Sequence, residues 1–363
     1  MNPPTSPRPG RWLAAAAGTA AALAACAWIV QRQTRRAEQA FPPKGRFVAV
    51  QGVRLHFTVH GRDDAPQTLV MLHGNGSMGE ELDLSGLVAQ ASERYRVVVF
   101  DRPGYGHSDR PAGRRFGPQE QADLFHAALT RMGVDKPIVF GHSWGALVAL
   151  AMGLRHPDDV GALVLASGYY FPSLRFDVPF LASPAIPLLG RLMRHTVSPL
   201  IGRLLWPLSV RRMFAPAAPT EAFLSGYPAW MSLRPSSLKA SAAESAMMIP
   251  SATLLSKRYG ELKVPSVLVA GAKDRLLGTR WHSARLHDQL QISWLRIVEG
   301  AGHMVHHVAP AQVMAAIDQA ASMGASLPRV PLAGDRDGES AHVAERESQL
   351  ASGEPTTADL GRS

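Results

Sequence analysis

The pentapeptide at residues 141–145, Gly-His-Ser-Trp-Gly, constrains this chain more than any other feature. An apolar run at 137–140 precedes it, and a helix-like apolar run at 146–152 follows it. Strand, sharp turn and helix in this order form the context in which a Gly-x-Ser-x-Gly turn presents a nucleophilic serine. A Cβ at either glycine would collide with the neighbouring strand or helix. We therefore expect Ser143 at the tip of the turn, beside the N–H groups that open the following helix.

Apolar runs of strand length alternate with helix-like segments along much of the chain. The predicted strands are 47–50, 53–59, 68–72, 96–100, 137–140, 162–166, 265–271 and 292–298. The predicted helices are 79–92, 118–132, 146–152, 279–290 and 308–322. Because most of these strands are solid apolar runs, they predict a parallel sheet covered by helices on both faces. The expected fold class is therefore α/β, with a mostly parallel, doubly wound sheet.

The alternation stops between residues 169 and 260, where prolines recur every few residues, and this segment predicts an inserted helical lid. It holds ten Lys or Arg and three Asp or Glu, hence +7 of the chain's net charge of +9. Its apolar residues at helical spacing fit either a lid core with a solvated face or contact with a membrane surface or lipid-like substrate. The other predicted parts are an α/β core at 46–168 and 261–323 and a disordered polar tail at 324–363.

Residues 1–36 form an N-terminal segment with an uncharged apolar run from Trp12 to Val30. As a helix this run spans about 28 Å, close to the thickness of a bilayer's hydrocarbon core. The first expectation is a retained single-span membrane anchor, with a linker at 37–45. A secreted protein cleaved after a signal peptide near residues 22–24, a lipoprotein modified at Cys26 and a buried soluble helix remain alternatives. Arginines flank both ends of the run, so its orientation in the membrane stays open.

Composition and motif spacing exclude several classes of partner. The basic balance fits nucleic acid, an anionic membrane or simple solubility, but no zinc-finger or RNA-binding signature occurs, and we expect no nucleic acid partner. The single cysteine, Cys26, excludes an intrachain disulfide and a cysteine metal cluster. The histidines lack metal-site spacing such as H-E-x-x-H, so the sequence predicts neither a metal nor a cofactor. It leaves the oligomeric state open.

Ser143, Asp274 and His303 each follow the end of a predicted buried strand. In an open parallel sheet these strand ends form the functional edge. A serine hydroxyl needs an adjacent base, which histidine can supply, and a carboxylate can fix the histidine tautomer. The three residues therefore predict nucleophilic catalysis. Asp101 also ends a strand and is the alternative acid.

With these motifs the chain resembles the α/β-hydrolase family over about residues 46–322. The resemblance rests on the order Ser, Asp, His and on segments 73–76, 101–108, 141–145, 271–274 and 300–303. It implies that Ser143 is the nucleophile, His303 the general base and acid, and Asp274 the orienting carboxylate. It also implies an oxyanion hole formed by the backbone N–H groups of Trp144 and Asn75, with Gly76 as a substitute for Asn75.

Within this family the residue at the turn indicates the chemistry. Haloalkane dehalogenases and epoxide hydrolases resemble the chain around 101–108, but they carry aspartate where this chain carries Ser143. The resemblance therefore implies a serine hydrolase that cleaves a small, apolar ester through an acyl-enzyme. A cofactor-free haloperoxidase or perhydrolase, a peptidase, and a hydrolase-fold protein that binds a ligand without turnover remain the alternatives.

Overall fold

A computed structural model describes residues 9–173, 182–186 and 188–326 of the chain. At its centre is an eight-stranded sheet with the order β1-β2-β4-β3-β5-β6-β7-β8. The strands are β1 Arg46–Val50, β2 Val53–His60, β3 Thr68–Leu72, β4 Arg96–Phe100, β5 Ile138–His142, β6 Ala162–Ala166, β7 Ser266–Gly271 and β8 Ser293–Val298. β2 pairs antiparallel with β1 and β4, and the remaining neighbours are parallel. The predicted mostly parallel α/β sheet is confirmed.

The central strands of the sheet are mostly apolar, so both of their faces are covered by other parts of the chain. Every residue of β5, β6 and β7 is buried. Along β3, Val70 and Leu72 belong to one buried cluster, whereas Leu69 and Met71 belong to the other. This alternation follows from the two-residue period of a strand, and it places one apolar cluster on each face.

The helices depart from the sequence prediction where glycine and proline interrupt them. Along the chain they are α1 Pro9–Ala40, α2 Glu80–Leu84, α3 Leu87–Ser92, α4 Pro118–Arg131, α5 Trp144–Arg155, α6 Leu189–His195, α7 Val197–Phe214, α8 Glu221–Gly226, α9 Ala229–Ser232, α10 Pro235–Leu255, α11 Arg285–His287, α12 Val305–Val308 and α13 Pro310–Ser326. The helix predicted over 79–92 splits into α2 and α3, because Gly86 between them adopts a φ of 76°. The helix predicted over 308–322 is preceded by α12 and begins at Pro310, since proline cannot continue a helix.

Between β6 and β7 the chain leaves the sheet, and the described part of this insertion contains α6 to α10. We call residues 182–186 and 188–260 the cap. Residues 174–181 and 187 of the predicted lid lie outside the described residues, as do residues 327–363 of the predicted tail. Residues 324–326, which the sequence assigned to that tail, are helical in α13.

Helix α1 is longer than the apolar run that predicts it. It continues to Ala40 and thus includes residues 37–40 of the predicted linker, because residues 31–40 are mostly good helix formers. Trp12–Ala40 is long and apolar enough to cross a membrane. The helix also packs against α6, α7 and α9 of the cap, and Val30 and Ala37 are buried. Glu38 accepts a hydrogen bond from Arg234 at 3.1 Å.

Candidate active site

Ser143 stands on a strained turn between β5 and α5. Its φ of 55° and ψ of −114° are unusual for a residue with a side chain. Its N–H donates to the carbonyl of Ala166 at 2.9 Å, which ties the turn to β6. A Cβ on Gly141 would lie 2.3 Å from the oxygen of Gly145, and a Cβ on Gly145 would lie 2.3 Å from the oxygen of Leu72. Both glycines are therefore required by the close approach of the backbone.

The structure brings Ser143, His303 and Asp274 together just beyond the carboxyl ends of three parallel strands. Oγ of Ser143 lies 3.1 Å from Nε2 of His303, and Nδ1 of His303 lies 2.9 Å from Oδ2 of Asp274. Asp274 and His303 are both buried. With its proton on Nδ1, His303 donates to Asp274 and accepts from the serine hydroxyl. This arrangement can move the hydroxyl proton to the imidazole.

Asp274 is held in the ionised form by its hydrogen bonds. Its Oδ1 accepts from the N–H groups of Leu276 at 2.9 Å and Leu277 at 3.1 Å. Burial by itself raises the pKa of Asp274, but His303 and the two N–H groups outweigh burial and lower that pKa below its ordinary value of 3.8. Asp274 is therefore a carboxylate at neutral pH.

Asp101, the alternative acid, is engaged elsewhere. Its carboxylate accepts from Nδ1 of His56 at 2.7 Å, from the N–H of Gly79 at 2.8 Å and from the N–H of His107 at 2.9 Å. These bonds tie the turn after β4 to β2 and to the start of α2. In the described part of the chain, the carboxylate that contacts His303 is Asp274.

The residues predicted to form the oxyanion hole lie in two segments that adjoin Ser143. Trp144 is the first residue of α5, so its N–H has no partner within the helix. The loop after β3 passes beside the nucleophile, because a Cβ on Gly74 would lie 3.3 Å from Cβ of Ser143. The side chain of Asn75, next in this loop, donates to Oγ of Ser245 in the cap at 3.2 Å. Both segments therefore adjoin the side chain of Ser143.

A buried ion pair links the cap to this same loop. Arg102 donates to the two carboxylate oxygens of Glu244 at 2.5 and 3.1 Å, and both side chains are fully buried. Arg102 also donates to the carbonyl oxygens of His73 and Gly74, each at 2.8 Å. The hydroxyl of Tyr105 donates to Glu244 at 2.8 Å. Because Arg102 binds these two carbonyl oxygens, the peptide planes of the loop are fixed. The N–H groups that share those planes are therefore restrained in direction.

A second buried carboxylate, Glu81, supports the loop that carries His303. Its Oε1 accepts from Nε2 of His306 and, at 2.8 Å, from Nε2 of His307. Burial raises the pKa of Glu81, but the two imidazoles outweigh burial and lower that pKa well below its ordinary value. Burial also lowers the pKa of His306. Nearby, Nε2 of His142 donates to the carbonyl of His303 at 3.1 Å.

Sequence reasoning missed Arg102, Glu244 and Glu81 as parts of this site. Glu244 lies 142 residues from Arg102 along the chain, and Glu81 lies 225 residues from His306. No local spacing reveals such pairs. The one available signal was that Glu244 is an isolated acid in a basic, apolar segment, where an unpaired charge would be unfavourable to bury.

Two groups of side chains in the described structure bring possible metal ligands within 4.8 Å of one another. One is the buried set Glu81, His142 and His306, and the other is the more exposed set His126, His156 and Asp159. In the exposed set, Nε2 of His126 bonds to Asp159 at 2.9 Å, and the two imidazole rings stack at 3.8 Å. In the buried set, Glu81 bonds to His306 through Oε1 and His142 bonds to the carbonyl of His303, while Oε2 of Glu81 and Nδ1 of His306 have no hydrogen-bond partner among the described residues.

Comparison with known proteins agrees with this architecture. A family model described as alpha/beta hydrolase fold matches residues 67–310. An uncharacterized protein of Mycobacterium tuberculosis (strain ATCC 25618 / H37Rv) is 24% identical over 307 residues, which cover 80% of this chain and 84% of that protein. A 2-hydroxymuconate semialdehyde hydrolase of Pseudomonas sp. (strain CF600) is 27% identical over 203 residues, covering 53% of this chain and 69% of the relative.

Among solved structures, the crystal structure of a membrane phospholipase A, described as a novel bacterial virulence factor, has a similar fold. It superposes with a TM-score of 0.58 at 21% identity, covering 85% of this chain and 96% of that chain. The family model spans more than half of the residues and includes strands β3 to β8, the turn at Ser143 and the loop of His303. The chain therefore belongs to the α/β-hydrolase fold family.

Proposed function

We propose that this α/β hydrolase is a serine hydrolase that cleaves an ester-type bond through an acyl-enzyme. The observation that carries the proposal is the line of contacts from Ser143 to His303 to Asp274, at 3.1 and 2.9 Å. His303 takes the hydroxyl proton as Oγ attacks the ester carbonyl, and it then gives that proton to the departing alkoxide. Water repeats the sequence on the acyl-enzyme and releases the acid. Asp274 orients the imidazole and stabilises its charged form.

The developing oxyanion is stabilised by the backbone N–H groups of Trp144 and Asn75. Two observations support this: Trp144 directly follows Ser143, and Gly74, the neighbour of Asn75, lies close to Cβ of Ser143. A donor of this kind typically contributes about 2.7–4 kcal/mol to the transition state. The hydrogen bonds of Asn75 and Arg102 to the cap support the proposal, because they restrain the loop before the substrate binds.

The enzyme acts at a membrane in this proposal, held by α1 as a retained anchor. The length and apolar character of Trp12–Ala40 support this anchor, and α1 also packs on the cap. The substrate in this proposal is a small-molecule, apolar ester, and likeness to a membrane phospholipase A agrees with an ester bond as the point of cleavage.

A fluorophosphonate probe tests the catalytic assignment directly. The full-length protein in detergent should be labelled at Ser143, and the Ser143→Ala variant should lose labelling together with roughly 10⁴-fold or more of its p-nitrophenyl ester hydrolysis. The matched control is Ser225→Ala, which alters an exposed cap serine and should keep both activities. Folded wild-type protein that takes up no probe and hydrolyses no ester would overturn the proposal in favour of ligand binding without turnover.

A further inference from the structure

The cap carries an apolar surface that the α/β core leaves uncovered. We call it the cap ridge, and its members are Leu188, Leu192, Ile201, Leu204, Leu205 and Leu208. The four members on α7 recur at i, i+3, i+4 and i+7, so they share one face of the helix. Such a stripe ordinarily faces a protein core, yet Leu204 is 79% exposed and Leu208 is 67% exposed.

The four ridge residues on α7 belong to a helix that is fixed in place from its other side. Val210 and Phe214, near the end of α7, are buried in a cluster with Phe223 and Met304. Met304 directly follows His303 in the chain. Helix α7 therefore packs on the loop of the candidate base with one face and presents the ridge with another.

The ridge is near α1, the helix that is long and apolar enough to span a membrane. Leu23, Cys26, Ala27 and Val30 share one face of α1 and are less exposed than their neighbours. Since α1 packs against α6, α7 and α9, this face is turned to the cap. These residues cover about 10 Å of helix axis at the end of the apolar run. A bilayer that holds the run from Trp12 to Val30 therefore reaches the flank of the cap.

The charge around the ridge favours a lipid surface over a second copy of the chain. Residues 182–214 contain five arginines and neither Asp nor Glu, and Arg191, Arg203, Arg211 and Arg212 are exposed. Basic side chains beside an apolar stripe suit the headgroup boundary of an anionic membrane. Two such surfaces facing each other would place like charges together.

We propose that the cap ridge inserts among the headgroups and upper acyl chains of an anionic bilayer. The inference rests on the proposed membrane anchor and deepens it. Helix α1 and the ridge then form one membrane-bound face, and the active site receives apolar esters that are dissolved in the bilayer. Because α7 contacts Met304, the docked ridge lies one helix diameter from the loop of His303.

Depth-dependent fluorescence quenching tests the docking without using catalysis. In a Cys26→Ala background, an environment-sensitive dye is attached at Leu204→Cys, and the full-length protein is reconstituted into phosphatidylcholine vesicles with and without phosphatidylglycerol. Doxyl-labelled lipid should quench this dye, and phosphatidylglycerol should strengthen the quenching. The matched control is the dye at Asp135→Cys, an exposed residue in the loop before β5. This loop lies at the amino ends of the parallel strands, whereas the cap follows the carboxyl end of β6. That dye should stay in water and be quenched by iodide.

Two outcomes would overturn docking on the bilayer. One is a Leu204→Cys dye that remains as accessible to iodide as the Asp135→Cys dye. The other is a dye that doxyl-labelled lipid does not quench but that becomes better protected from iodide as the protein density rises. That result would assign the ridge to contact with a second copy of the chain. Adding Ser143→Ala should leave the quenching unchanged, so failure of the docking and failure of the catalytic proposal are read separately.

A pair of substitutions links the ridge to substrate supply. The double variant Leu204→Asn with Leu208→Asn alters two exposed side chains and should keep hydrolysis of a water-soluble ester. Hydrolysis of an ester dissolved in the vesicles should fall about tenfold, because less apolar area enters the bilayer. Lipid insertion of the double variant is measured with a dye at Leu205→Cys. The proposal is contradicted if the double variant keeps both activities equally and this dye is quenched by lipid as strongly as before.

Discussion

At the scale of single residues, two aspartates that look alike in the sequence have different surroundings. Asp101 and Asp274 each follow a buried strand and each bond to a histidine, at 2.7 and 2.9 Å. The histidine beside Asp274 reaches Ser143, whereas Asp101 also holds the backbone N–H groups of Gly79 and His107. The first arrangement suits proton transfer, and the second suits a turn.

Replacing Asp274 by asparagine tests its role as the orienting carboxylate. In Asp274→Asn the amide favours the tautomer with the proton on Nε2 of His303, which then cannot accept from Ser143. We expect kcat for a p-nitrophenyl ester to fall about 10⁴-fold. In the control Asp101→Asn, the urea midpoint should fall while kcat per folded molecule stays near that of wild type. Loss of kcat in Asp101→Asn alone would reverse the assignment.

The sequence allowed the positions of Ser143, Asp274 and His303 after strand ends to be predicted, because β5 and β7 are fully buried runs and β8 ends shortly before His303. Strands 68–72, 96–100 and 162–166 match the structure to the residue, since a run buried on both faces leaves little ambiguity. The supporting residues Arg102, Glu81 and Glu244 were not predictable, because their partners come from distant segments that meet only in the folded chain.

At the scale of elements, α10 connects the cap to the loop that carries Asn75. The carboxylate of Glu244 on α10 is fully buried and is bonded by Arg102, Tyr105 and Gln121. Ser245, the next residue of the helix, accepts from the side chain of Asn75. The position of the cap helix and the shape of the loop that carries Asn75 are therefore coupled through one buried polar network.

Neutralising Glu244 should both destabilise the fold and slow catalysis. Glu244→Gln leaves the buried guanidinium of Arg102 without a counter-charge, and breaking such a pair costs about 3–5 kcal/mol. Urea unfolding should show this loss, and kcat of the folded fraction should fall because the loop of Asn75 is less restrained. The control Glu221→Gln, at an exposed cap acid, should change the free energy of unfolding by less than about 1 kcal/mol. Equal effects of the two substitutions would refute the coupling.

Element boundaries were less predictable than element types. Gly86 divides the helix predicted over 79–92 because it adopts a positive φ. A single glycine in a helical sequence pattern does not by itself predict such a break. Helix α1 extends past its apolar run to Ala40. The residues after Val30 are mostly good helix formers, but most of them are polar, and they therefore fell outside the apolar run from which the helix was predicted.

At the scale of the whole molecule, buried histidines make the stability of the fold depend on pH. Burial, with the nearby Arg102, lowers the pKa of His73 from 6.5 to about 4. Burial also lowers the pKa of His142 and of His306. Between pH 6.5 and 4 the unfolded chain therefore binds protons that the folded chain excludes, so acidification favours unfolding.

The contribution of these histidines to the free energy of unfolding should be fully present above about pH 6.5 and should fall as the pH is lowered. His73 alone accounts for a loss on the order of 3 kcal/mol by pH 4. Below about pH 4.5, carboxylates with lowered pKa values, such as Glu81 and Asp274, add to the loss as they become protonated. Urea midpoints between pH 7 and 5 measure the slope. His73→Gln should reduce that slope, and a flat profile in the wild type would contradict the expectation.

The buried pairing between Arg102 and Glu244 has a practical consequence for grafting experiments. Chimeras that exchange specificity segments between hydrolases assume that the transplanted piece is independent of its host. Here a foreign segment in place of α10 would have to supply an acid that meets Arg102, together with a hydroxyl that meets Asn75. A donor that lacks them would need a matching replacement of Arg102 in the recipient, so the two must be exchanged as one unit.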